Sequence, residues 1–280
     1  MKTEQITAIG RPVDPNYPTN RAILIIMLVV LIGGAVWQWL SGAAMLAGLL
    51  WGVQAGLGVF LAWAMCRELD PDHDLRAFPA AGLALIALFW GQPDLMVLFW
   101  MLLVIRVVNR TPGIPATWLD SLLIAGLSGW LVWQRGNALY GIVATLAFLL
   151  DSQIQSPSST SPTHSRNQKQ VLFAGAVAVV TLVWAVLEGH WPEEFAMLPL
   201  LATLVMGALF VPVLVASRRV EAVGDQSGAP LSPRRVQAGQ GLLLLAGVGL
   251  ALCEGSAGIV SVTPFWAAVV GAVASKIVGQ

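Results

Sequence analysis

Charge is scarce in this sequence. Asp, Glu, Lys and Arg make up 11% of its 280 residues, against about 25% in an ordinary soluble domain. So few charged side chains cannot coat a soluble fold of this size, which excludes a water-soluble globular domain. With 57% apolar residues the chain is not disordered either. The 15 Lys+Arg are balanced by 15 Asp+Glu. No basic excess is left to meet a phosphate backbone, so a nucleic-acid partner is excluded. There are two cysteines, Cys66 and Cys253, and three histidines. Neither cysteine has a CxxC partner or a histidine at zinc spacing. The two fall at helix ends on opposite membrane faces, so no disulfide between them is expected. GxSxG, HExxH, a Walker loop and paired haem histidines are all missing. No metal and no cofactor is therefore expected.

What is present is apolar sequence in long runs, with a mean hydropathy of +0.76. A spanning helix needs about 20 apolar residues. Ten segments approach this: 22–40, 43–66, 71–91, 93–109, 117–133, 137–151, 171–188, 193–216, 234–252 and 264–278. The first is too long for a signal-peptide core and is read as a retained span. The third is expected to begin at Pro71, with Asp70 as its N-cap. The sixth and tenth are short, as tilted or re-entrant segments are. None of the ten carries an ionisable residue at its middle, where ion-coupled transporters and proton relays usually place one.

The expected fold is therefore all-α, a polytopic membrane bundle of about ten helices, with the lipid bilayer as its partner. With both termini cytoplasmic, 14 of the 15 Lys+Arg lie inside and only Arg135 outside, a strong positive-inside pattern. Five acids lie outside: Asp94, Glu188, Glu193, Glu194 and Glu254. Trp37, Trp39, Trp90, Trp130, Trp133, Trp191 and Trp266 fall near the outer ends, as an aromatic belt does. Size and topology point to a bacterial inner membrane. By organisation, residues 1–21 form a cytoplasmic tail and 22–151 a six-helix bundle. Residues 152–170, rich in Ser, Thr and Pro, read as a flexible linker, and 171–280 as four more helices.

Several motifs are candidates for function, each beside a plainer structural reading. Ala44, Gly48, Gly52 and Gly56 repeat every fourth residue on the second helix, a pattern that brings helices into backbone contact or lines a path. Ala267, Gly271 and Ser275 form a shorter stripe. If the segment after the second helix were extended, Glu68, Asp70, Asp72 and Asp74 would share a side suited to a hard cation. If it is helical, Asp70 caps and Asp72 pairs with Arg76 at i,i+4. Arg106, Asn109 and Arg110 recur on one helix face and suit a phosphate or headgroup. They equally suit a helix C-terminus that attracts cations. Thr117 and Asp120 have capping-box spacing. Pro93-Asp94 and Pro192-Glu193-Glu194 each read as a helix start. Glu188, His190 and Glu193 are a loose alternative cation site.

Hairpin geometry gathers Arg67, Glu68, Asp70, Asp72, Arg106, Asn109 and Arg110 at the inner ends of the second to fourth helices. Three function classes follow. One is a permease or flippase for a neutral or amphiphilic solute. Another is a structural or assembly subunit, with a membrane-protein partner or a second copy. The third is a cytoplasmic-face enzyme acting on a phospholipid or isoprenoid phosphate. The first is favoured, so an enzyme is the less expected outcome.

Overall fold

The structure, a computed structural model, describes residues 7–11, 13–154, 164–188 and 197–278. Ten α-helices run through these residues: α1 (Pro18–Leu40), α2 (Met45–Leu69), α3 (Ala77–Ala87), α4 (Leu95–Asn109), α5 (Trp118–Arg135), α6 (Leu139–Gln153), α7 (His164–Leu187), α8 (Met197–Ala216), α9 (Pro233–Ser261) and α10 (Thr263–Val278). No strand occurs among the described residues, only an isolated bridge between Val223 and Pro230. Among the described residues five helical segments are long and apolar enough to cross a membrane: Pro18–Leu40, Met45–Leu69, Gln168–Leu187, Met197–Arg219 and Pro233–Ser261. Shorter apolar helices occupy Leu95–Asn109, Leu139–Gln153 and Thr263–Ala274.

The helix boundaries follow local chemistry. Pro18 opens α1, where its fixed φ is already helical and its missing N–H costs nothing. Asp94 caps α4 by accepting from the Met96 and Val97 N–H groups. Thr117 and Asp120 form a complete capping box at the start of α5. Gly255, at φ 61 and ψ −137, bends α9 sharply, and this left-handed backbone suits a residue without Cβ.

Helix α2 lies at the centre, packed against α1, α3, α4 and α10. Its buried residues occur all round the helix. Helix α1 buries only Ile23 and rides on α2 through the glycine stripe. A Cβ placed on Gly52 would sit 2.2 Å from the Leu31 carbonyl oxygen, so the two backbones touch there. Gly48 and Gly56 meet α1 in the same way, opposite Ala35 and Met27. On the other side α9 packs against α4, α6 and α8, and α6 against α7.

Several expectations are corrected. Asp70 does not cap a helix from Pro71. It ends α2, and α3 starts only at Ala77 after a 3-10 turn over Asp74–Arg76. Arg76 draws the Asp70 carboxylate away from the cap position. Asp72 does not pair with Arg76; it accepts the N–H groups of Glu221 (3.0 Å) and Ala222 (2.8 Å). Ala44 is exposed and leaves the buried stripe to the three glycines, because α2 begins only after it. Trp266, in the first turn of α10, is buried, its ring tilted against Phe265 with centroids 4.8 Å apart. The polar stretch 152–170 is helical at both ends, in α6 to Gln153 and in α7 from His164. Gln170 is buried because its amide is needed inside the bundle. The middle of that stretch, together with Glu193, Glu194, His190 and Trp191, lies outside the described residues.

Candidate functional site

Most described arginines gather at one end of the bundle, here called the arginine-rich face. Three of the side chains there run against the helix dipole. Glu68 lies in the last turn of α2 and Asp151 in the last turn of α6, where the dipole disfavours acids. Arg235 lies in the first turn of α9, where it disfavours cations. Each needs a compensating partner, and each has one.

Glu68 is fully buried and its Oε1 accepts from Arg106 Nε at 2.9 Å and from Arg11 Nη1 at 3.3 Å. Its backbone carbonyl accepts from Asn109 Nδ2 at 2.9 Å. Arg11 also pairs with Asp225. Burial alone would lower the Arg11 pKa, but the Glu68 and Asp225 carboxylates outweigh it, so the value is raised and the guanidinium stays charged.

Asp151 is the second hub. Its Oδ1 accepts from Arg110 Nε at 2.6 Å and from Arg235 Nη1 at 2.8 Å, and its Oδ2 from Gln170 Nε2 at 2.9 Å. Arg235 also donates to the carbonyls of Val108 and Ile154. This knot ties α4, α6, α7 and α9 together. Nearby, Gln240 Nε2 bridges the Leu69 carbonyl and the Ser217 hydroxyl.

Of the residues expected to cluster, Glu68, Arg106 and Asn109 do meet. Arg67 lies beside them but pairs with Asp74 at 2.9 Å and stacks 4.9 Å over the Trp63 ring. Asp70 is held by Arg76 at 2.9 Å and His73 at 3.0 Å, and Asp72 by the backbone at 221–222. Arg110 goes to Asp151 instead. The reason is conformational: α4 ends at Asn109, and Arg110 adopts the left-handed region at φ 52. That turn swings it off the helix face it was expected to share. The four carboxylates from Glu68 to Asp74 thus have separate partners, and no three His, Cys, Asp or Glu converge among the described residues.

Composition and spacing did not single out Arg11, Asp151, Arg235 or Asp225. The signal for Asp151 and Arg235 was their wrong sign relative to the helix dipole. Arg11 and Asp225 lie in loops and carried no local signal.

Below the arginines a cavity of about 870 Å³ opens between α2 and α4. Its walls are two matched stripes. On α2 these are Leu57, Phe60, Leu61, Ala64 and then Arg67; on α4 they are Met96, Phe99, Leu102 and then Arg106. Spacings of three and four keep each stripe on one helix face. The helices run parallel. Beside the start of α4, partway along α2, Gln54 Nε2 donates to the Pro93 carbonyl at 2.7 Å, and near the ends of both helices Glu68 meets Arg106. Each stripe therefore runs about 15 Å, at about 1.5 Å per residue, from apolar floor to cationic mouth. Val13, Asp14 and Tyr17 form the lip, with Asp74 and Asp225 at the rim. The N-terminal segment that supplies the lip is anchored by Asp120, which accepts from the Ala8 N–H at 2.8 Å and from the Thr7 hydroxyl. No protein-family model, no curated protein and no solved structure matches the chain.

Proposed function

We propose that this chain is an inner-membrane permease or flippase for an amphiphile, with ten membrane-embedded helices and both termini in the cytoplasm. The observation that carries the reading is the α2–α4 cavity. Its volume is in the range of about 300–1,000 Å³ that small-molecule sites occupy. Its lining is apolar along two helices and cationic at one end. A molecule with a chain and a polar head matches that division; a small neutral polar solute would leave the apolar walls unused. The arginine-rich face is then the cytoplasmic one, in line with the positive-inside pattern. Chemistry on the head is less well supported, because the nearby carboxylates are already held by arginines, a histidine or backbone N–H groups.

Reconstitution tests this reading. Proteoliposomes carrying fluorescent phospholipid on both leaflets are exposed to a membrane-impermeant quencher. Protein-containing vesicles should lose signal beyond the half that empty vesicles lose. A loss equal to that of empty vesicles, with no lipid retained by the purified protein, would refute it. Reporter fusions at residues 155 and 280 test the orientation, and a periplasmic signal from either overturns it.

A further inference from the structure

We infer that the groove takes a zwitterionic phospholipid whose headgroup ends in an ammonium, of the phosphoethanolamine type. The inference rests on the amphiphile reading and adds the identity of the head. Charge along the groove comes in a definite order. The apolar stripes end at Arg67 and Arg106, with Arg11 beside them, and these guanidinium side chains are only 17%, 14% and 17% exposed. Farther out stand Asp74 and Asp225, each paired with an arginine (Arg67 and Arg11) through one carboxylate oxygen and still 50% and 47% exposed. From the floor upward the wall is therefore apolar, then cationic, then anionic. A phosphoethanolamine lipid has the complementary order: acyl chain, phosphate, ammonium.

The donors needed for the phosphate are there. A guanidinium has five N–H donors. Arg106 commits Nε to Glu68 and Nη1 to the Ile9 carbonyl. Arg67 commits Nε and Nη2 to Asp74 and Nη1 to Asn20. Both arginines keep N–H groups to offer at the cavity wall. An anionic phosphatidylglycerol would satisfy the arginines but bring an uncharged, hydroxylated end to two carboxylates. The rim therefore selects the amine.

The test uses the purified full chain and native mass spectrometry with phosphatidylethanolamine and phosphatidylglycerol of identical acyl chains, alone and in competition. The expected result is at least about five-fold preference for phosphatidylethanolamine, a difference of about 1 kcal/mol at 25 °C. Asp74→Asn removes an ammonium partner and releases Arg67. It should lower retention of phosphatidylethanolamine and raise that of phosphatidylglycerol, reversing or abolishing the preference, and Asp225→Asn should act in the same direction. Both side chains are half-exposed, so an unchanged melting temperature is expected and is checked alongside. Leu102→Trp fills the groove and should reduce both lipids. Soluble glycerophosphoethanolamine, which has the head and no chains, should compete only weakly. Phosphatidylglycerol bound as well as phosphatidylethanolamine, or a ratio unmoved by both aspartate variants, overturns the headgroup inference alone. Retention of neither lipid overturns the amphiphile reading beneath it. Glycerophosphoethanolamine bound as tightly as the lipid overturns the role of the apolar stripes and assigns the site to a soluble phosphoamine.

Discussion

Replacing Asp151 with Asn removes one charge and almost no volume, and it should be among the most damaging single changes in the protein. Asp151 is buried and faces two guanidinium groups, those of Arg110 and Arg235, at 2.6 and 2.8 Å. Arg235 is itself only 2% exposed. Asn keeps an acceptor for one of them and takes away the negative charge that the two share, one of them the buried Arg235. It also turns an amide NH2 toward Gln170, whose Nε2 now donates to Asp151. Removing one partner of a buried ion pair typically costs about 3–5 kcal/mol. For a protein of this size that corresponds to a fall in melting temperature of about 5–9 °C. The assay is thermal unfolding in one detergent, followed by intrinsic tryptophan fluorescence. The double variant Asp151→Asn/Arg235→Met should lose less than the sum of the two single variants, because the stranded cation goes with its partner. A single-variant shift under about 2 °C would refute the reasoning. It would mean that water reaches the knot and that the charges are screened, not buried.

Three further outcomes follow from the same geometry. Gly52→Ala should destabilise by about 1–3 kcal/mol, because its Cβ meets the α1 backbone. Gly33→Ala, which meets nothing within 4 Å, should be neutral or slightly stabilising; equal effects in thermal unfolding would show that α1 does not rest on the stripe. Thr117→Ala removes the α5 cap at a cost of about 1 kcal/mol and loosens Asp120, so protease cleavage within the first 20 residues should accelerate; an unchanged digestion rate speaks against N-terminal docking. Under native conditions maleimide should modify Cys253, which is partly exposed, far faster than Cys66, which is 1% exposed and bonded to the Arg76 carbonyl. Equal rates would place Cys66 at a surface.

What could be read from the sequence is what adjacent residues settle among themselves. Long apolar runs must be helical in a bilayer, since every backbone group has to bond within its own segment. Asp94 and Thr117 with Asp120 cap helices whose first N–H groups lie two or three residues away. The backbone contact at Gly48, Gly52 and Gly56 was legible because the stripe has helical period. Pairing was not legible. Glu68 meets Arg106 across 38 residues and Asp151 meets Arg235 across 84, and hydropathy says nothing about which helix ends become neighbours. The dipole rule could say that Glu68, Asp151 and Arg235 each lacked a local partner, but not which partner each would find. Where competing partners were at hand, the tertiary one won. Asp70 gave up a cap for Arg76, and Arg110 left the α4 face for Asp151, because a buried charge gains more from a full counter-charge than from a helix end. The groove belongs to the same class. Its two stripes were present as spacings on separate helices, and only the parallel packing of α2 and α4 set Arg67 and Arg106 over one apolar wall.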